Sequence, residues 1–420
     1  LNYSDVNILL INKYHYSRAG VETVYFNTAR LLESHGNKLV YFSMDHPGNE
    51  PCETGRFFVP YVDLNVRHGI LDQVKIAGRL LYSFKARNNL AALLDNNHVD
   101  IAHLHDICHQ ISPSILHELK KRKIPVVMTL HDPKLVCASY YLFAGGKPCE
   151  ACCNGKYFMT VKKKCVKDSF AKSILSALEM YLHHVILDIY GNVDVFISPS
   201  LFLKNKVLEM GFKRNIVHLY NFIYIQADGP DNESVPDDEK NTVAYVGRLS
   251  YEKGLLTLLD AARLTENMGV QVKIIGDGPL KEKLHNKVKS EQIKNVIFLG
   301  HLKKDTLYKE VKKSAAVVLP SECYENNPLS VIEAFSLSKP VIGSRLGGIP
   351  ELVKDNERGL TFKPGDAKDL SLKIEYLMEN PDKAEMMGKN AKAFVEEELS
   401  PDKYYVKLME IYKEALKKSN

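Results

Sequence analysis

With 420 residues, 45% of them hydrophobic and 25% charged, the chain is too long for one ordinary core and too apolar to be disordered. Two globular domains of roughly 150–220 residues are expected. The formal charge of +5 is only mildly basic, and no arginine-rich arm or aromatic–basic interleaving points to a nucleic-acid partner. The opening LNYSDVNILLIN has no basic segment ahead of a long apolar run, and no apolar stretch reaches about eighteen residues, so a cytoplasmic chain without a membrane span is predicted.

Residues 6–11 read as a short apolar strand. A loop from Asn12 to Glu22 follows, and then a helical period through Val24, Ala29, Leu31 and Leu32 that stops at His35-Gly36. Strand, glycine-bearing loop and helix open a doubly wound domain, with Gly20 letting a ligand approach backbone. Residues 38–43 form a second strand, residues 44–69 a long loop rich in proline, and residues 71–94 a mostly helical stretch. The strand 100–104 runs into His103-Leu104-His105-Asp106, and alternation points both histidines to one face. Two readings are open for them: a metal pair, or histidines hydrogen-bonded at a strand end. Residues 125–130 are another buried strand, and His131 comes just past its carboxyl end, where open α/β sheets bind ligands.

The insert 137–165 carries Cys137, Cys149, Cys152, Cys153 and Cys165 in a C-x11-C-x2-C-C-x11-C pattern. Cys137, Cys149, Cys152 and Cys165 are candidate ligands of a structural zinc, which would order a long loop with little apolar periodicity. Free buried thiols and a redox or iron–sulfur site are the other readings. The insert region is also basic, with Lys156, Lys162, Lys163, Lys164, Lys167 and Lys172. This suits either a solvated face or peripheral contact with anionic head groups on the inner face of a membrane. Residues 169–187 read as a long amphipathic helix and 193–198 as a strand; the first domain closes near 216–220, and the polar stretch 221–240 reads as a linker.

Residues 242–246 begin a second βα series, leading to Gly247-Arg248-Leu249-Ser250-Tyr251-Glu252-Lys253-Gly254 and a helix over 255–267. Two cations on a glycine-bounded loop at a strand's end suit a diphosphate. Strands are read at 272–276, 295–299, 315–320 and 340–344, and the glycine loop 347–351 leads into a helix. The third of these strands leads through SECYENNPLSVIE, residues 321–333, into a helix over 329–337. That stretch sets Glu325 in a loop past a strand and Glu333 two turns away on the helix that follows, with free N–H groups of the helix start between them. By itself such a pair also reads as a solvated helix cap.

Glu325-x7-Glu333 resembles the signature of retaining, nucleotide-sugar-dependent glycosyltransferases of family 4. The stretch 247–254 closely matches that family's donor-phosphate motif, Gly276-Asp277-Gly278-Pro279 is similar to its Gly-x-Gly-Pro, and Ala19-Gly20-Val21-Glu22 to its Gly-Gly-Val-Glu loop, with alanine replacing the first glycine. The cysteine-rich insert resembles that of one branch of the family. The resemblance implies an α/β GT-B fold of two Rossmann-like doubly wound domains with the active site in the cleft between them. Domain bounds of 1–220 and 241–400 follow, with helix 401–420 packing back on the first domain.

It further implies that Arg248 and Lys253 neutralise the donor diphosphate, and that Glu325, Asn326 and Asn327 hold the transferred sugar. Gly247, Gly276, Gly20 and the N–H groups at Leu329 and Ser330 would approach the donor, Glu333 would bind the ribose, and His131 would reach the sugar. Tyr14, His15, Arg18 and His105 are its acceptor-side candidates. The donor would be a UDP or GDP sugar and the acceptor a glycan or polyprenyl-diphosphate-linked precursor of a cell-surface polysaccharide. No D-x-D occurs in the chain, in keeping with transfer that needs no cofactor or divalent metal. A nucleotide-sugar epimerase or phosphorylase on the same fold, and a non-catalytic scaffold, remain beside it.

Overall fold

The computed structural model describes residues 6–63, 66, 69–224 and 241–419. The predicted linker therefore lies outside the described residues from 225 on, while Phe222 and Ile223 near its start are buried. The chain divides into two compact units, one of residues 1–145, 149–221 and 401–420, the other of 146–148 and 222–400.

In the first unit the strands are β1 (Asn7–Ile11), β2 (Lys38–Phe42), β5 (Ile101–Leu104), β6 (Val126–Thr129), β9 (Val195–Ser198) and β10 (Ile216–His218), with the short strands β3 (Met44–Asp45), β4 (Val59–Pro60), β7 (Phe143–Ala144) and β8 (Lys147–Pro148) interspersed. The six longer strands form a parallel sheet in the order β10-β9-β6-β5-β1-β2. Continuous apolar runs make this possible, because a parallel strand is covered on both faces; Ile8, Leu9, Leu10 and Ile11 are all fully buried. Register sets Ile11 beside Leu104 and Leu104 beside Met128, so the loops carrying Asn12, His105 and His131 leave the sheet side by side.

The helices of this unit are α1 (Gly20–Ser34), α2 (Ile70–Leu81), α3 (Phe84–Asn96), α4 (Ile115–Lys121), α5 (Phe158–Lys162), α6 (Phe170–Tyr181) and α7 (Leu201–Glu209). Two expectations are corrected here. The stretch 44–69 is not a plain loop: β3 pairs with β4, and the 3-10 turn Glu53–Phe57 between them is tied down where Thr54 Oγ1 donates to the Tyr41 carbonyl at 2.7 Å. The helical stretch 71–94 is two helices, because the Ser83 side chain accepts from the Ala86 N–H and starts a new one.

The second unit carries β11 (Thr242–Val246), β12 (Gln271–Ile275), β13 (Val296–Gly300), β14 (Ala316–Leu319), β15 (Val341–Ser344) and β16 (Gly359–Phe362). They form a parallel sheet in the order β13-β12-β11-β14-β15-β16, flanked by α8 (Leu255–Leu264), α9 (Lys281–Ser290), α10 (Lys304–Lys313), α11 (Leu329–Ser336), α12 (Ile349–Val353), α13 (Ala367–Glu379) and α14 (Pro381–Glu398). Val243, Tyr245, Leu258, Ile274, Ile342 and Phe362 join one apolar core. The edge strand β16 was not read from the sequence.

The last helix, α15 (Pro401–Ser419), belongs to the first unit and packs on α1, β6 and β9. Its Tyr412 hydroxyl meets His103 Nδ1 at 2.8 Å, and its Tyr405 stacks on His35 with centroids 3.7 Å apart.

Candidate active site

In the second unit, register brings the carboxyl ends of β11, β12, β14 and β15 to one edge of the sheet. The loops leaving those ends are locked together through backbone. Gly247 N–H donates to the Ile275 carbonyl at 3.0 Å, Leu249 N–H to Asp277 at 2.9 Å, Glu322 N–H to Glu252 at 2.9 Å and Gly348 N–H to Glu325 at 2.8 Å. Two glycines are required for this closeness. A Cβ at Gly276 would lie 1.9 Å from the Gly247 carbonyl oxygen and one at Gly254 1.9 Å from that of Pro320, and both residues have positive φ.

Lys253 ends a 3-10 turn (Tyr251–Lys253) after β11, and its Nζ donates to Glu325 Oε1 at 2.6 Å; Ser321 Oγ donates to the same oxygen at 2.6 Å. Burial works against the ammonium charge, but the Glu325 carboxylate and its hydrogen bond prevail and hold the Lys253 pKa above its ordinary value. Arg248, on the same loop, is exposed and has no ion-pair partner among the described residues. Helix α11 starts after an extended Pro328 with no side-chain cap, which leaves the Leu329 and Ser330 N–H groups without intrahelical acceptors at the positive end of the helix dipole. Glu333, one turn further, is half-buried beside Tyr308 and Ser330, and burial raises its carboxyl pKa, opposed only by Lys304. Gly247, Arg248, Lys253, Gly276, Glu325, Asn326, Asn327, Leu329, Ser330 and Glu333 thus all lie on loops and helix starts along this edge. Ser321 was not anticipated; a serine directly past the strand was its only signal.

The first unit presents a different set. His103 and His105 do share a face, with rings 4.6 Å apart. His103 is bonded to Tyr412 and, through Nε2, to Thr129 Oγ1 at 2.8 Å, while His105 Nδ1 meets His131 Nε2 at 2.9 Å. Burial lowers the pKa of His103 to about 3 and of His131 to about 4. Next to them, Asp132 is pushed up to about 6 by burial and then by Asp106. Lys13 pairs with Asp106 at 2.6 Å, and the fully interior Lys134 pairs with Glu179 at 2.8 Å. Asp106, Asp132, Lys134 and Glu179 were not singled out from the sequence, where only the adjacency of Asp132 to His131 hinted at them.

His15 is a core residue and not an open acceptor-side group. Its Nδ1 meets the Tyr25 hydroxyl at 2.9 Å among the rings of Phe26, Tyr41 and Phe58, and burial lowers its pKa to about 4. Tyr14 and Arg18 stay near the surface, the guanidinium 4.3 Å from the ring centroid. Gly20 begins α1, and Ala19 before it is extended (φ −155°), so the alanine is accommodated without strain. Glu22 accepts from the Ala19 N–H at 3.1 Å and fixes that turn.

The predicted zinc ligands Cys137, Cys149, Cys152 and Cys165 do line one small pocket. The zinc expectation is nonetheless not supported: among the described residues no group of three or more His, Cys, Asp or Glu is arranged to hold a metal. Two of the sulfurs take hydroxyl partners instead. Cys137 meets Ser139 Oγ at 3.3 Å and Cys152 meets Thr160 Oγ1 at 3.5 Å, and burial together with the neighbouring thiols pushes Cys165 up to about 11. The same shortage of ligand groups leaves the His103–His105 metal reading without support.

Two family models match the chain: one described as Glycosyltransferase Family 4 over residues 18–226, the other as Glycosyl transferases group 1 over residues 230–394. The chain belongs to the glycosyltransferases of the family 4 type, with the GT-B fold. It is 29% identical over 224 residues to an uncharacterized glycosyltransferase, MJ1178, of Methanocaldococcus jannaschii, an alignment covering 53% of this chain and 60% of that protein. The chain thus spans less than two thirds of the first curated relatives it matches. Among solved structures, sucrose-phosphate synthase from Thermosynechococcus elongatus is similar with a TM-score of 0.72 at 19% identity, covering 97% of this chain and 98% of that one. Anabaena Alr3699/HepE in complex with UDP and glucose is similar with a TM-score of 0.60 at 17% identity, covering 97% and 99%. Both likenesses speak for the fold.

Proposed function

We propose that the protein transfers a sugar from a nucleoside-diphosphate sugar to a hydroxyl of a glycan or lipid-linked acceptor, with retention at the anomeric carbon. The observation that carries this reading is the edge of the second unit where Lys253 and Glu325 are bonded to each other, with Arg248 free and exposed on the same loop and an uncapped helix start nearby. Such an edge offers two cations and oriented N–H groups to a diphosphate. Arg248 and Lys253 meet the phosphate charge that grows as the C1–O bond to the donor phosphate breaks. Glu325, with Asn326 and Asn327, faces the transferred sugar, and Glu333 accepts from the ribose hydroxyls. The acceptor oxygen attacks C1 from the face the leaving group departs, and its proton passes to the departing phosphate oxygen. UDP is the proposed nucleotide of the donor because a solved structure of similar fold holds it.

The test is a thermal-shift panel of UDP, GDP and ADP followed by transfer assays with the matching sugars. UDP raising the melting temperature most, and an α-configured donor giving an α-linked product by NMR, is the expected result. No shift with any nucleotide overturns the donor reading, and an inverted product overturns retention.

A further inference from the structure

Helix α6 is amphipathic the wrong way round for a globular protein. Its inward face is Ser173, Ser176, Ala177, Glu179 and Met180, whereas Phe170, Ile174 and Leu178 point to solvent, with Phe170 58% and Leu178 53% exposed. A core-facing helix ordinarily buries its large apolar stripe and shows its small and polar residues. The chain continues into a π turn (Leu182–Ile186) where Val185 and Ile186 are exposed as well. Two further helices pack on α6 and repeat the pattern. On α5 Phe158 is exposed, and α2 shows Leu71 and Val74 at 78% and 67% exposure, with no fully buried side chain among residues 71–81. Single exposed apolar residues are ordinary; a concentration on α6 and the two helices packed on it marks an interaction surface.

Charge indicates what covers it. Residues 156–178 contain six lysines and one acidic residue, Asp168. Lys162, Lys163, Lys164, Lys167 and Lys172 are all exposed, on the end of α5, the connection to α6 and its first turn. A second copy of the chain would set these cations against their equals across a two-fold axis. An anionic bilayer would accept both features at once, apolar side chains entering the acyl boundary and ammonium groups resting among head groups. No helix among the described residues is long and apolar enough to cross a membrane, so the helices would lie in the interface plane.

We propose that the α2–α5–α6 face of the first unit docks the protein on a membrane bearing anionic lipids. The inference concerns the outside of the first unit and does not depend on the donor reading of the second.

The test is flotation of the full chain with phosphatidylcholine vesicles, with and without phosphatidylglycerol, in parallel with sedimentation equilibrium in free solution. The wild-type chain is expected to float with the anionic vesicles, weakly with the neutral ones, and to stay monomeric without lipid. The variant Phe170→Ser/Ile174→Ser/Leu178→Ser, which removes only outward groups, is expected to lose about tenfold or more of the binding. The variant Lys162→Gln/Lys163→Gln/Lys164→Gln/Lys167→Gln is expected to lose at least about tenfold on anionic vesicles alone. Unchanged melting temperatures and unchanged far-UV circular dichroism serve as the folding control for both variants. A chain that stays unbound at every lipid composition overturns the proposal, and so do variants that bind as well as wild type. Self-association abolished by the serine variant also overturns it, assigning the face to a second copy.

Discussion

The two units each hold a short lysine–glutamate bond, and the two bonds do opposite things. Lys134 and Glu179 in the first unit are both almost wholly enclosed, with side-chain exposures of 7% and 3%. Lys253 and Glu325 in the second sit at 26% and 13%, at the open ends of strands. An enclosed pair must remain complete, since removing one member strands the other charge away from water, whereas a pair at a strand-end loop can exchange partners with an incoming anion. Polar groups in the first unit are therefore chiefly structural, and those along the second unit's edge are available for chemistry.

The sharpest way to break this contrast is to mutate both lysines. Lys134→Met is expected to destabilise the first unit by about 3–5 kcal/mol, read in denaturant unfolding, because Glu179 is left charged and enclosed. Lys253→Met is expected to leave stability within about 1 kcal/mol of wild type but to lower kcat by about a hundred- to a thousandfold, the scale of a lost transition-state donor. If Lys253→Met unfolds the protein, or Lys134→Met spares stability and abolishes turnover, the assignment is reversed.

Acid separates the units in a second way. His15, His109 and His131 have folded pKa values lowered to about 4, and His103 to about 3, from an ordinary 6.5. The unfolded chain then takes up protons that the folded rings refuse, so this stability is complete above pH 6.5 and declines as pH falls toward the folded values. Each ring contributes at most about 1.4 kcal/mol per pH unit in that window. Asp132, held up at about 6, opposes them, since its neutral form is the one the fold prefers. The second unit has only His285 and His301, both exposed. Incubation at pH 5 followed by pulse hydrogen exchange at one fixed labelling pH should show protection lost in the first unit and kept in the second.

Smaller still is Tyr412→Phe, which removes the hydroxyl from His103 Nδ1. A loss of about 1–3 kcal/mol from the first unit is expected in thermal unfolding, with nucleotide-induced shifts unchanged.

Much of this arrangement was legible in the sequence wherever a local pattern carried it. Residues 242–246 fold as the strand they predict, and 321–333 sets a loop glutamate and a helix glutamate where the strand–loop–helix reading puts them. Strand β16 escaped because its four residues, Gly-Leu-Thr-Phe, are too few for a period and follow a buried arginine. The histidine network was half visible: alternation aligned His103 with His105, but Thr129 and Tyr412 are supplied from 26 and 309 residues away. Helix α6 shows the opposite limit, since periodicity revealed two faces but did not say which turned inward.

Helix α15 carries one more consequence. Residues 405, 412 and 414 bond or stack with Asn37, His35, His103 and Asn215, all in the first unit. On the ribosome the whole second unit is synthesised before this helix exists. The nascent first unit must wait for it with the His103 side of its sheet uncovered, exposed to chaperones for the time needed to translate some two hundred further residues.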